Sequence, residues 1–197
     1  YPWHQEYTPP LPITDIKHNI ASIDVYETNL PNVDNERLMY EVVNNEQERI
    51  DANPEDTHYE DIKFPGSDTC MHFMGEVERA VKAYANKDVE LTGIWTHKTE
   101  PNGSTAFHSH TNSLYSFVYY PQHEEGQGDI HFTVFINDMP RFEKVIQPKA
   151  GMLLIFDSKI SHYTGKNVTN TDRYSISGNF NIRSNCNLCK FANAGSK

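Results

Sequence analysis

Cysteine is scarce in this chain: Cys70, Cys186 and Cys189 are the three among 197 residues. So few thiols cannot build the disulfide framework of a small secreted fold, and they point to a reducing compartment. Positive charge is short as well. Lys and Arg number 17 against 27 Asp and Glu, a net charge of −10, and no basic run offers a track for phosphates. Nucleic acid is therefore not an expected partner. No apolar run approaches the ~20 residues that span a bilayer, and nothing at the start has the pattern of a signal peptide. A membrane partner is not expected either, and the cytoplasm is the expected location. No internal repeat is visible.

Aromatic residues are plentiful at 12%, and Tyr and Phe concentrate in the second half. Residues 1–18 hold four prolines and little periodicity, which reads as an extended arm. Ile20 to Thr28 alternates as a strand does. Asp34 can cap a helix from about Asn35 to Arg49. Asn53 to Pro65 is polar and turn-rich. From Asp68 to Ala85, Met71, Met74, Val77, Ala80, Val81 and Tyr84 recur at helical steps and predict a second helix packed by that stripe. After Lys87 the period becomes two. Strands are predicted at Val89–Lys98, Ser104–His108, Leu114–Tyr120, Asp129–Ile136, Phe142–Ile146, Met152–Asp157 and Arg173–Ile182. Turns such as Pro101-Asn102-Gly103, Gly126-Gln127-Gly128 and Lys149-Ala150-Gly151 separate them. The expected fold is mainly β, a jelly roll (double-stranded β-helix) buttressed by two N-terminal helices. The expected layout is one domain, with an arm at 1–19, helical support at 20–88, the jelly-roll core at 89–183 and a tail at 184–197.

Ten histidines are many for this length. His108 and His110 flank Ser109 at the end of a predicted strand, where residues two apart share a face, so both rings can reach one ion. Imidazole suits first-row transition metals. On its own a His-x-His pair reads equally well as two polar residues on a solvent-facing edge. His162 follows the apolar strand Gly151-Met-Leu-Leu-Ile-Phe-Asp157. Arg173, Ser175 and Ser177 share one face of the last strand. An Arg with a hydroxyl two residues on suits a buried carboxylate, although for a lone Arg a surface salt bridge is the more ordinary reading.

The segments FHSHTNSLYSFVYY, PKAGMLLIFDSKISHYTG and DRYSISGNFNI, spanning about residues 89–183, resemble the 2-oxoglutarate/Fe(II)-dependent oxygenases. More narrowly, they resemble a small phage and bacterial branch related to the prolyl-hydroxylase-like enzymes. The resemblance implies a dioxygenase that hydroxylates an unactivated C–H bond of a protein residue or small molecule, with release of succinate and CO2. It implies Fe(2+) as cofactor, 2-oxoglutarate as cosubstrate, and O2 and an unknown prime substrate as partners. His108 and His162 match the family's iron-ligating histidines. Arg173, helped by Ser175, matches the group that binds the distal carboxylate of 2-oxoglutarate, and Tyr120 sits where relatives place a second hydroxyl. Trp95 and Asn112 fall near the pocket. The usual triad has a carboxylate where this chain has His110. The expected ligand set is therefore His108, His110 and His162, with Glu100 or Asp129 as alternative third ligands. Two other readings stay open: a cupin-like three-His dioxygenase without cosubstrate, and a non-catalytic jelly-roll binding or virion-associated module. Cys186 and Cys189 have C-x-x-C spacing but no second pair. The remaining histidines are expected at the surface or in packing, with His97 and His131 nearest the core.

Overall fold

A computed structural model describes residues 23–52 and 59–183. The elements run β1 (Val25–Asn29), α1 (Asn35–Val43), β2 (Arg49–Ala52), β3 (Tyr59–Lys63), α2 (Asp68–Ala85) and β4 (Val89–Thr99). They continue through β5 (Tyr115–Tyr120), β6 (Ile130–Ile136), β7 (Met139–Ile146), β8 (Met152–Asp157), β9 (Ser161–Thr164) and β10 (Arg173–Ile182). The mainly β architecture with two helices agrees with the sequence. The expected arm and tail, and Cys186 and Cys189, lie outside the described residues.

Seven strands pair antiparallel in the order β1-β8-β5-β10-β4-β3-β2, and three more in the order β7-β6-β9. The large sheet carries apolar side chains on both faces, which explains the unbroken Met-Leu-Leu-Ile-Phe run of β8. Leu153 and Ile155 point to the helices, where Leu38, Val42, Phe73, Val77 and Val81 meet Tyr119 and Ile176. Met152, Leu154 and Phe156 point the other way, with Val118 and Tyr120, onto Ile130, Phe132 and Ile160. The molecule is thus layered helices, large sheet, small sheet, and the site lies between the sheets.

The helices start where capping chemistry places them. Asp34 accepts a hydrogen bond from the Arg37 amide at 3.0 Å, and Ser67 accepts one from Cys70 at 3.2 Å. Helix α1 stops at Val43, not near Arg49. There the Asn44 side chain turns back onto the Tyr40 carbonyl (2.7 Å), and Asn45 reaches the Lys63 carbonyl; such local bonds compete with further helical turns. The polar stretch before Pro65 contains β3, not only turns. Ile62 is the one fully buried apolar side chain among the described residues of β3, too little for an alternation to register. Ser104 to His108 forms no strand. The Thr105 amide bonds the Thr164 hydroxyl (2.8 Å) rather than a backbone carbonyl, and only His108 enters a bridge, with His162.

Candidate active site

The His108–His162 bridge builds the centre. The His108 amide donates to the His162 carbonyl (3.0 Å), the His162 amide donates back (2.9 Å), and the His110 amide is held by the Ser158 carbonyl (2.8 Å). A loop crossing β9, rather than the face of a strand, therefore brings the rings together. Ring centroids of His108 and His162 lie 4.3 Å apart, those of His108 and His110 5.0 Å, and those of His110 and His162 5.3 Å. One nitrogen of each ring lies within 4.8 Å of the others. Among the described residues neither Glu100 nor Asp129 joins this group.

The tautomers are set by backbone oxygens. His108 Nδ1 lies 2.8 Å from the Ala106 carbonyl, and His162 Nδ1 lies 2.9 Å from the Ile160 carbonyl. A carbonyl only accepts, so each Nδ1 carries a proton and each Nε2 is the nitrogen left to face the other rings. Burial, and then the neighbouring His108 ring, pushes the His162 ring down to about 3 and His110 to about 4. Neutral, pre-oriented imidazoles are the protonation state a metal needs. Phe156 packs edge-on against His162 at 4.9 Å, and Trp95 lies 5.8 Å from His110.

A cavity of about 290 Å³ opens from these rings between the sheets, with Tyr120, Thr164 and Ser175 also on its wall. Arg173 is 1% exposed. Its Nη1 donates to the Gln127 carbonyl (2.7 Å), and its Nη2 donates to the hydroxyls of Thr99 (2.8 Å) and Thr164 (3.0 Å). Its Nε is buried without a partner, and no acid pairs with it among the described residues. A guanidinium taken out of water without a counter-charge is costly, and Thr164, which accepts from its Nη2, lines the cavity. The Nη protons are engaged with protein oxygens, which leaves Nε as the donor without a partner. Burial holds the Tyr120 phenol up at about 12, so it stays a donor.

Three side chains that sequence reasoning did not select also line this cavity. Asp61 Oδ1 lies 2.7 Å from His97 Nδ1, and His97 Nε2 lies 2.9 Å from Thr105 Oγ1. Burial lowers the His97 pKa. The neutral ring thus donates to Asp61 and accepts from the Thr105 hydroxyl. The sheet register that sets Asp61 opposite His97 left no signal in a chain segment read as turns. Of the two residues expected nearby, Trp95 lines the cavity and Asn112 does not. His131 stacks on Tyr163 at 4.4 Å and bonds Glu143 (3.2 Å), a packing role as expected.

Residues 93–179 match the family model described as "Putative 2OG-Fe(II) oxygenase". The matched stretch includes His108, His110, His162 and Arg173. Solved structures share the oxygenase fold. A Pseudomonas putida prolyl-4-hydroxylase is similar with a TM-score of 0.59 at 19% identity, covering 82% of this chain and 94% of that one. The epimerase SnoN of nogalamycin biosynthesis, in complex with Fe3+, alpha ketoglutarate and nogalamycin RO, has a TM-score of 0.66 at 12% identity, covering 81% and 79%. HygX from Streptomyces hygroscopicus, with nickel and 2-oxoglutarate bound, has a TM-score of 0.61 at 11% identity, covering 81% and 83%. No curated protein matches the chain. Among the described residues, no helix is long and apolar enough to cross a membrane.

Proposed function

We propose that His108, His110 and His162 hold one iron(II) ion, and that Arg173, Ser175 and Tyr120 receive the distal carboxylate of 2-oxoglutarate. The enzyme then hydroxylates an unactivated C–H bond of a protein residue or small molecule. One observation carries this reading: three convergent imidazoles line a cavity whose wall residue Thr164 accepts from a buried guanidinium that has no acid partner among the described residues. Three imidazole nitrogens fit a first-row metal, and the orphaned Arg173 Nε fits a carboxylate ligand.

With both bound, iron(II) and 2-oxoglutarate supply activation of O2 coupled to decarboxylation of the keto acid, giving succinate, CO2 and one oxygen atom for the substrate's C–H bond. The chain's own work is positional. The Ala106 and Ile160 carbonyls hold the His108 and His162 rings by their Nδ1 protons. The Thr99 and Thr164 hydroxyls and the Gln127 carbonyl fix the guanidinium plane. Ile130 and Phe156 cover the wall beside His162 with apolar surface, which excludes water and strengthens the electrostatics inside. The prime substrate is a question for assay, and the likeness to a prolyl-4-hydroxylase makes prolyl peptides one of the first to try.

The test is O2 consumption by the protein reconstituted with iron(II), with and without 2-oxoglutarate. We expect uptake that requires the keto acid and forms succinate, and we expect His162→Ala to lose bound iron while keeping its circular-dichroism spectrum. Uptake indifferent to 2-oxoglutarate would favour a three-His dioxygenase without cosubstrate, a class the absence of a carboxylate ligand also suits. Retention of iron by His162→Ala would remove that residue from the ligand set.

A further inference from the structure

A three-histidine ligand set changes the charge of the cavity. The family norm adds one carboxylate to two neutral histidines, and here that position is His110. A divalent ion, a dianionic keto acid and the Arg173 guanidinium then leave one positive charge uncompensated in a buried space, where unbalanced charge is costly. Among the described residues Asp61 is the only acid on the cavity wall. It lies across the β3–β4 ladder from His97, which donates to its Oδ1 over 2.7 Å. Its other oxygen takes no hydrogen bond from the described residues. The chain of contacts continues from His97 to Thr105 at 2.9 Å, three residues before His108.

We propose that Asp61, held in place by His97, supplies from outside the coordination sphere the negative charge that the His-x-His motif removes from the ligand set. This rests on the reading of His108, His110 and His162 as the metal ligands. Asp61 is then a positioning and charge-balancing residue rather than a ligand. Its loss has a signature that misfolding lacks. A cavity more positive by one charge binds a dication less well and a dianion better, so metal and cosubstrate affinities move in opposite directions.

The experiment compares the intact protein with Asp61→Asn, whose amide oxygen can still accept from His97. Mn(II) serves as an air-stable probe, and 2-oxoglutarate is titrated onto metal-saturated protein, both by calorimetry with no turnover. We expect the Mn(II) dissociation constant of the variant to rise at least tenfold while that of 2-oxoglutarate stays level or falls, with Asp61→Glu recovering much of the metal affinity. Equal Mn(II) affinity in the two proteins overturns the proposal. So does joint weakening of metal and cosubstrate with a lowered melting temperature, which would make the Asp61–His97 pair a fold contact only. Loss of all Mn(II) binding by Asp61→Asn, with binding kept by His110→Ala, would make Asp61 itself a ligand and also overturn it. If the unaltered protein binds no Mn(II), the metal-site reading fails first, and that result is separate from any behaviour of Asp61.

Discussion

Arg173 depends on a turn that only glycine fits. Gly128 has φ +90°, and a Cβ there would lie 2.2 Å from the Gly165 carbonyl oxygen and 3.1 Å from Arg173 Nη1. The same turn offers the Gln127 carbonyl to that Nη1. Gly128→Ala therefore meets both a left-handed backbone and a hard backbone contact, costing on the order of 1–3 kcal/mol. The strain should spread to the guanidinium. We expect a lower melting temperature and a KM for 2-oxoglutarate raised about tenfold, the size of one charged hydrogen bond lost; a variant with unchanged KM would show that Arg173 is placed independently of this turn. At this scale the sequence was informative where residues fit a known pattern: His108, His110, His162 and Arg173 stand out through the resemblance to the oxygenases, since the His pair and the Arg each have an ordinary reading alone. Asp61, Thr99, Thr105 and Thr164 do not stand out. Each is an ordinary polar residue whose role comes from a neighbour across a ladder, and pairing partners are not written in local sequence.

The strands that carry the site are legible in proportion to how many of their faces are buried. β8, buried on both, and β10, whose apolar and polar residues alternate, are predicted with the bounds the structure gives them. Among its described side chains β3 has one buried apolar residue, and β9 is four residues long, so neither leaves a periodic trace. β10 is the most exacting element. It pairs with β4 on one side and β5 on the other, and it presents Arg173, Ser175 and Ser177 toward the site. Gly178 lets its neighbours close in: a Cβ there would lie 2.5 Å from the Phe117 ring and 2.6 Å from the Gly93 carbonyl. Phe117 can shift, but the backbone oxygen cannot without opening the β10–β4 ladder. Gly178→Ala should thus cost about 1–3 kcal/mol in denaturant unfolding, as overpacking does, and should weaken 2-oxoglutarate binding because Ser175 and Arg173 ride on the same strand. Loss of stability with cosubstrate affinity intact would place the damage beyond Asn179, where the register already shifts.

Across the whole molecule two electrostatic effects compete on acidification. The net charge of −10 makes the folded state self-repelling, so added protons should relieve it. Against this, the fold buries imidazoles in their neutral form: burial lowers His97 and His123, His110 falls to about 4 and His162 to about 3. The unfolded chain takes up protons on those rings near its ordinary value of 6.5 while the folded chain does not. Between pH 6.5 and the folded values the unfolded state therefore holds more protons, and stability falls as pH falls, by up to ~1.4 kcal/mol per pH unit for each such ring. The carboxylates remain mostly ionised down to about pH 5, and exposed repulsion is screened beyond ~8 Å at physiological salt, so the imidazoles dominate in this window. Metal-free protein should melt at its highest temperature near pH 7 and progressively lower toward pH 5, with a shallower slope in His97→Gln. Saturating Mn(II) should raise the melting temperature by mass action, and that gain should persist down to about pH 5, because the folded His110 and His162 rings take up protons only near 4 and 3. A metal-free melting temperature that climbs on going from pH 7 to pH 5 would mean that surface repulsion outweighs the buried histidines.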